Sequence, residues 1–149
     1  MAGQRTLPGT LDALAELPAI IDECAALADL SHRGAVGLRL AVDEIVTNIV
    51  IHGYQEHGLS GTIGIDWQLT GDHEVTVGIE DTAPAFDPTV YPEPEHVTAP
   101  LDERPEGGLG IMLARRGVDE MTYEHKPGRN RVELRTAAHP VHDDQGETA

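Results

Sequence analysis

The chain reads as an α/β fold of the two-layer α+β kind: a mixed, mostly antiparallel sheet with helices on one face. Three observations predict it. Residues 17–52 carry apolar side chains at helical spacing, residues 62–79 form two alternating segments around Gly71-Asp72, and residues 109–135 return to one helix and two strands. With 149 residues the chain can bury one core without disulfides or a structural metal.

Residues 5–11 are a short extended or loop segment suited to a sheet edge. Residues 17–30 form the first helix, with Pro18 in the first turn, where its missing N–H leaves no hydrogen bond broken. Ser31 offers an N-cap for a second helix that runs to about Ile51 and stops at His52-Gly53, where glycine suits a left-handed cap. Residues 62–69 place Ile63, Ile65, Trp67 and Leu69 on one side, and Val75, Val77 and Ile79 follow after the turn. This is a hairpin with one buried face. Asp81 continues the buried register of its second strand, and a carboxylate there needs a partner.

From Thr82 to Gly108 the periodicity disappears, and six of the ten prolines fall in this stretch. Its length predicts a functional loop or lid. Residues 109–117 return to helix, and residues 121–124 and 131–135 read as closing strands. The domain is expected over 5–136, followed by a polar, disordered tail at 137–149. His139, His142 and Asp143 in that tail lack the further fixed ligands that a metal site needs.

Ten Lys and Arg against 26 Asp and Glu give a net charge of −16, which argues against nucleic acid and anionic membrane as partners. With only 3% aromatic residues, the core must be mainly aliphatic. Cys24, the single cysteine, falls in a half-buried helical run and reads as an inert core thiol. The sequence has no apolar run of membrane-spanning length, and its N-terminus has neither the basic start nor the apolar stretch of a signal peptide. The expected location is cytoplasmic.

The chemistry begins at residues 38–54, where an apolar helical run is broken by Glu44 and, one turn later, by Asn48. At about 100° per residue the two share a stripe. Leu38, Val42, Ile45 and Ile49 form the apolar face, Arg39, Asp43 and Thr47 a solvent-suited one, and Gly37 and Ala41 leave room beside the stripe. A carboxylate can accept a proton and a carboxamide oxygen can meet Mg²⁺. Taken alone, the pair reads more readily as a solvated helix surface, since such pairs are common on helices. Gly107-Gly108-Leu109-Gly110 opens the next helix, where backbone amides and the helix dipole suit phosphate; a hinge closing the long loop is the competing reading. No Lys-Ser or Lys-Thr follows, so it is not a Walker loop.

In this order and spacing the segments resemble the ATP-binding fold shared by gyrase, Hsp90, MutL and histidine kinases. More closely, Val42-Asp43-Glu44-Ile45-Val46-Thr47-Asn48 with His52-Gly53-Tyr54, Ala85-Phe86-Asp87-Pro88 and Gly107-Gly108-Leu109-Gly110-Ile111 resemble the anti-sigma-factor serine/threonine kinases of bacteria. The resemblance implies that Asn48 holds Mg²⁺ on the triphosphate of ATP and that Glu44 is the general base. It implies that Asp81 receives the adenine amino group and that Gly108, Leu109 and Gly110 bring lid amides to the phosphates. Arg104, near that end of the lid, is the basic residue it offers to the γ-phosphate.

Two positions depart from the family. Ala83 stands where relatives usually have glycine, placing a methyl group near the adenine plane, and Asn130 stands where threonine is common. The resemblance implies phosphorylation of a small anti-sigma-antagonist protein together with capture of a sigma factor; family members commonly act as dimers, so a homodimer is implied too. The rival expectations are a non-catalytic, ATP-responsive binding module, favoured by Ala83, and an interaction protein that keeps the fold without nucleotide.

Overall fold

The computed structural model describes residues 1–90 and 108–137. Arg104, the lid residues 91–107 and the tail with His139, His142 and Asp143 lie outside them. Five strands, β1 (Ala2–Pro8), β2 (Thr62–Gly71), β3 (Glu74–Asp81), β4 (Glu120–Lys126) and β5 (Arg129–Ala137), form one sheet in the order β1-β2-β3-β5-β4. Every neighbouring pair is antiparallel, so the described sheet has no parallel member. The expected edge segment is a full strand, starting at Ala2 and pairing along β2 from Ala2↔Gln68 to Pro8↔Thr62.

Alternation sorts the sheet into two faces. Ile63, Ile65, Trp67, Val75, Val77, Ile79, Val132 and Leu134 are buried under the helices. On the opposite face the Arg131 guanidinium bonds Asp66 (2.8 Å), Glu80 (2.9 Å) and Glu133 (2.9 Å), and these partners push its pKa up. It lies over Gly78, where any side chain would collide with it.

Among the described residues three α-helices cover the core: α1 (Leu17–Leu27), α2 (His32–Asn48) and α3 (Gly108–Gly117). Ser31 Oγ caps α2 by accepting a bond from the Gly34 amide at 3.0 Å. The expected faces of α2 are present in the main: Leu38, Val42, Ile45 and Ile49 are buried and Arg39 and Asp43 are exposed, while Thr47, expected with the latter two, is half-buried. The room beside Gly37 and Ala41 is filled by α3. Helix α3 approaches so closely that a side chain on Gly37 would run into the Gly117 carbonyl, and one on Gly117 would stand 2.8 Å from the Gly37 oxygen.

Regular α geometry ends at Asn48, and a wider π-type turn, Ile49–Tyr54, follows. The left-handed glycine is Gly58 (φ 64°), five residues beyond the predicted stop. Gly53 is small for a different reason: a Cβ on it would stand 2.8 Å from the Ala83 methyl. Tyr54 then fastens this turn to the sheet. Its buried hydroxyl donates to the Thr62 carbonyl (2.7 Å) and accepts from the Thr82 amide (2.9 Å), fixing the chain just past Asp81.

Candidate functional site

The end of α2, the turn Ile49–Tyr54, the end of β3 and residues 83–88 enclose a cavity of about 310 Å³, a size suited to a small ligand. Asn48, Asp81, Ala83, Phe86, Ile111 and Asn130 are among its lining residues. The 3.6-residue period places Asn48 here, and the two-residue period of β3 brings in Asp81.

Asp81 is 5% exposed. Its Oδ1 accepts from the Ala83 amide at 2.8 Å and from Asn130 Nδ2 at 2.9 Å, which supplies the partners its buried position requires. Oδ2 takes no hydrogen bond from a described residue. Burial pushes the Asp81 pKa above its ordinary value of 3.8, and the bonds from Asn130 and Ala83 and the nearby His125 only partly offset this.

Glu44, one helical turn before Asn48, is half-buried against the first turn of α3. A Cβ on Gly110 would run into its Oε1. Loss of solvent raises the Glu44 pKa above 4.5, and neighbouring Asp43 raises it further. The structure thus brings Asn48, Asp81, Ala83 and Asn130 together in the cavity lining, while Glu44 and Gly110 meet each other beside it without lining it. Arg104 lies outside the described residues.

Asn130 lines the cavity, yet it is 3% exposed and its amide is engaged by the protein. Nδ2 donates to Asp81 Oδ1 and to the Ala83 carbonyl (2.8 Å), while Oδ1 accepts a short bond from the Tyr123 hydroxyl and pairs with His125 Nδ1 at 3.1 Å. Sequence reasoning missed Tyr123 and His125. The signal for His125 was the Pro127-Gly128 turn: with Gly128 at φ 78°, it sets the β4–β5 register and places His125 opposite Asn130.

Among the described residues no three His, Cys, Asp or Glu side chains gather as a metal cage. Asn48 lines the cavity, and its carboxamide carries an oxygen donor of the kind that suits Mg²⁺, which takes one or two protein oxygens and completes its shell with phosphates and water.

Residues 7–136 match the model of the histidine kinase-like ATPase domain. The chain is 33% identical over 96 residues to the serine-protein kinase RsbW of Staphylococcus aureus, covering 60% of this chain and 58% of the relative. Against serine-protein kinase RsbW of Oceanobacillus iheyensis it is 30% identical over 101 residues, covering 66% and 63%. The matches thus span about three fifths of those relatives' length. Among solved structures, the RsbU and RsbW domains of a Mycobacterium tuberculosis protein superpose with a TM-score of 0.63 at 22% identity, covering 92% of this chain and 32% of that one. The SiaB–SiaC complex from Pseudomonas aeruginosa gives 0.55 at 16% identity, covering 90% and 88%. These two likenesses concern the fold alone.

Proposed function

We propose, for a chain that belongs to the histidine kinase-like ATPase domain family over residues 7–136, that it is an ATP-dependent serine/threonine protein kinase. Its substrate in this proposal is a small anti-sigma-antagonist protein, and by also capturing a sigma factor the chain acts as an anti-sigma factor. The observation that carries it is Asp81: a buried carboxylate at a cavity wall, with one oxygen held by the protein and the other taking no bond from a described residue. Such an oxygen suits the amino group of adenine.

The remaining roles are those that the family resemblance assigns. Asn48 holds Mg²⁺ through its side-chain oxygen; the ion supplies positive charge that neutralises the triphosphate. The N-terminal amides of α3, at Gly108, Leu109 and Gly110, donate to phosphate oxygens, helped by the helix dipole. Arg104, outside the described residues, is the basic residue that the resemblance assigns to the γ-phosphate. Glu44 takes the proton of the substrate hydroxyl as that oxygen bonds to the γ-phosphorus and the bond to the β–γ bridging oxygen breaks, releasing ADP. Its raised pKa brings it closer to the working pH of a general base.

The rival binding module was favoured by the Ala83 methyl. That methyl packs against Gly53, so glycine at 53 makes room for alanine at 83. The names of the staphylococcal and Oceanobacillus relatives support a kinase. Cytoplasmic action as a homodimer completes the proposal; no described helix is long and apolar enough to cross a membrane. The test is phosphate transfer from radiolabelled Mg-ATP to a co-purifying small protein. Glu44→Ala should bind ATP normally and lose transfer by about 10²- to 10⁴-fold; transfer at the wild-type rate would remove Glu44 from the role of base.

A further inference from the structure

The Asn130 amide joins the cavity wall to the edge strand β4, and all of its polar capacity is used. The two best acceptors for Nδ2 are Asp81 Oδ1 and the Ala83 carbonyl, neither of which can donate a proton in return. On the other side the Tyr123 oxygen receives a hydrogen bond from the Phe86 backbone, so its own proton is directed to Asn130 Oδ1. His125 Nδ1 reaches the same oxygen and adds a second donor when protonated there. Neither Tyr123 nor His125 lines the cavity. They engage only the far end of the amide, and that end fixes which way the near end points.

We propose that Tyr123 and His125 are positioning residues for purine recognition: by holding Asn130 Oδ1 they present Nδ2 to Asp81 Oδ1, so that Asp81 Oδ2 accepts from the ligand. The site then selects a 6-aminopurine nucleotide over a 6-oxopurine one. Weakening the hold lets the amide turn, placing its oxygen against Asp81 Oδ1, and the carboxylate then loses both a bond and its fixed orientation. The inference rests on the ATP site proposed above and adds to it a brace on β4. Phe86, which lines the cavity and bonds Tyr123 through its backbone, couples the same brace to the segment beside the ligand.

The test is isothermal titration of the full chain with Mg-ATP and with Mg-ITP, whose purines differ in having a 6-amino and a 6-oxo group. Tyr123→Phe removes one donor from a half-buried site and should reduce the ATP-over-ITP preference by about 3- to 10-fold, through weaker ATP binding. His125→Ala, at an exposed side chain, should shift the ratio in the same direction by less. A structural role alone would weaken both nucleotides equally and leave the ratio unchanged. An unchanged ratio in both variants, with wild-type protein still preferring ATP, overturns the brace and spares the ATP site; wild-type protein that binds neither nucleotide overturns both.

Discussion

Two glycines on the α2–α3 contact should respond oppositely to the same methyl group. At Gly37 a Cβ meets the Gly117 backbone carbonyl, which cannot swing aside. Overpacking against backbone costs up to about 3 kcal/mol, offset by about 1 kcal/mol of helix propensity gained over glycine. The net loss is about 2 kcal/mol, which lowers Tm by about 4–8 °C for a domain of this size. At Gly110 the methyl meets the end of the Glu44 side chain, which can change rotamer for about 0.5–1.5 kcal/mol. The propensity gain roughly cancels this. Gly110→Ala should therefore leave Tm within about 3 °C of wild type, while displacing the proposed base and reducing phosphate transfer. Thermal unfolding by circular dichroism, paired with the transfer assay, reads both arms. A Gly37→Ala protein as stable as wild type would refute the close helix approach, and a Gly110→Ala protein with full transfer would refute the placement of Glu44.

Two further predictions use the ionisable groups. Asp81→Asn keeps an oxygen for the Ala83 amide and Asn130 Nδ2 but replaces Oδ2 with a donor, so ATP binding should be lost while the fold is kept. Because the folded pKa of Asp81 is raised above 3.8, its ionisation opposes folding: wild type should match the variant at lower pH and fall below it in stability as pH rises through that raised value. Melting curves across pH check the sign, and a wild type that gains on the variant at neutral pH would contradict it. The transfer rate should have an acid limb above pH 4.5, set by Glu44, that moves to lower pH in Asp43→Asn once one negative neighbour is removed. A limb that stays in place would show that Asp43 does not act on the base.

What the sequence made legible was what local periodicity encodes. The 3.6-residue period put Glu44 and Asn48 on one stripe, and the two-residue period buried Asp81 and asked for a partner. The partner's identity was hidden, because Asn130 is 49 residues away and meets Asp81 only through the β3–β5 register. Distance along the chain likewise concealed the Gly53–Ala83 contact, which turns a departure at position 83 into a matched pair. The second helix was predicted to about Ile51, but α geometry gives way to the wider turn at Asn48, a change of winding to which apolar spacing is insensitive over one turn. Asn130 both lines the cavity and holds the Asp81 carboxylate, a double placement that only the β3–β5 register creates.

The central claim is that the cavity between Asn48 and Asp81 binds Mg-ATP, and ligand-induced stabilisation tests it most directly. With Mg-ATP at about 100 times its Kd, the folded state should gain about 2.7 kcal/mol, raising Tm by about 5–11 °C. Asp81→Asn should abolish most of that rise. A wild-type melting temperature unmoved by millimolar Mg-ATP would contradict the account.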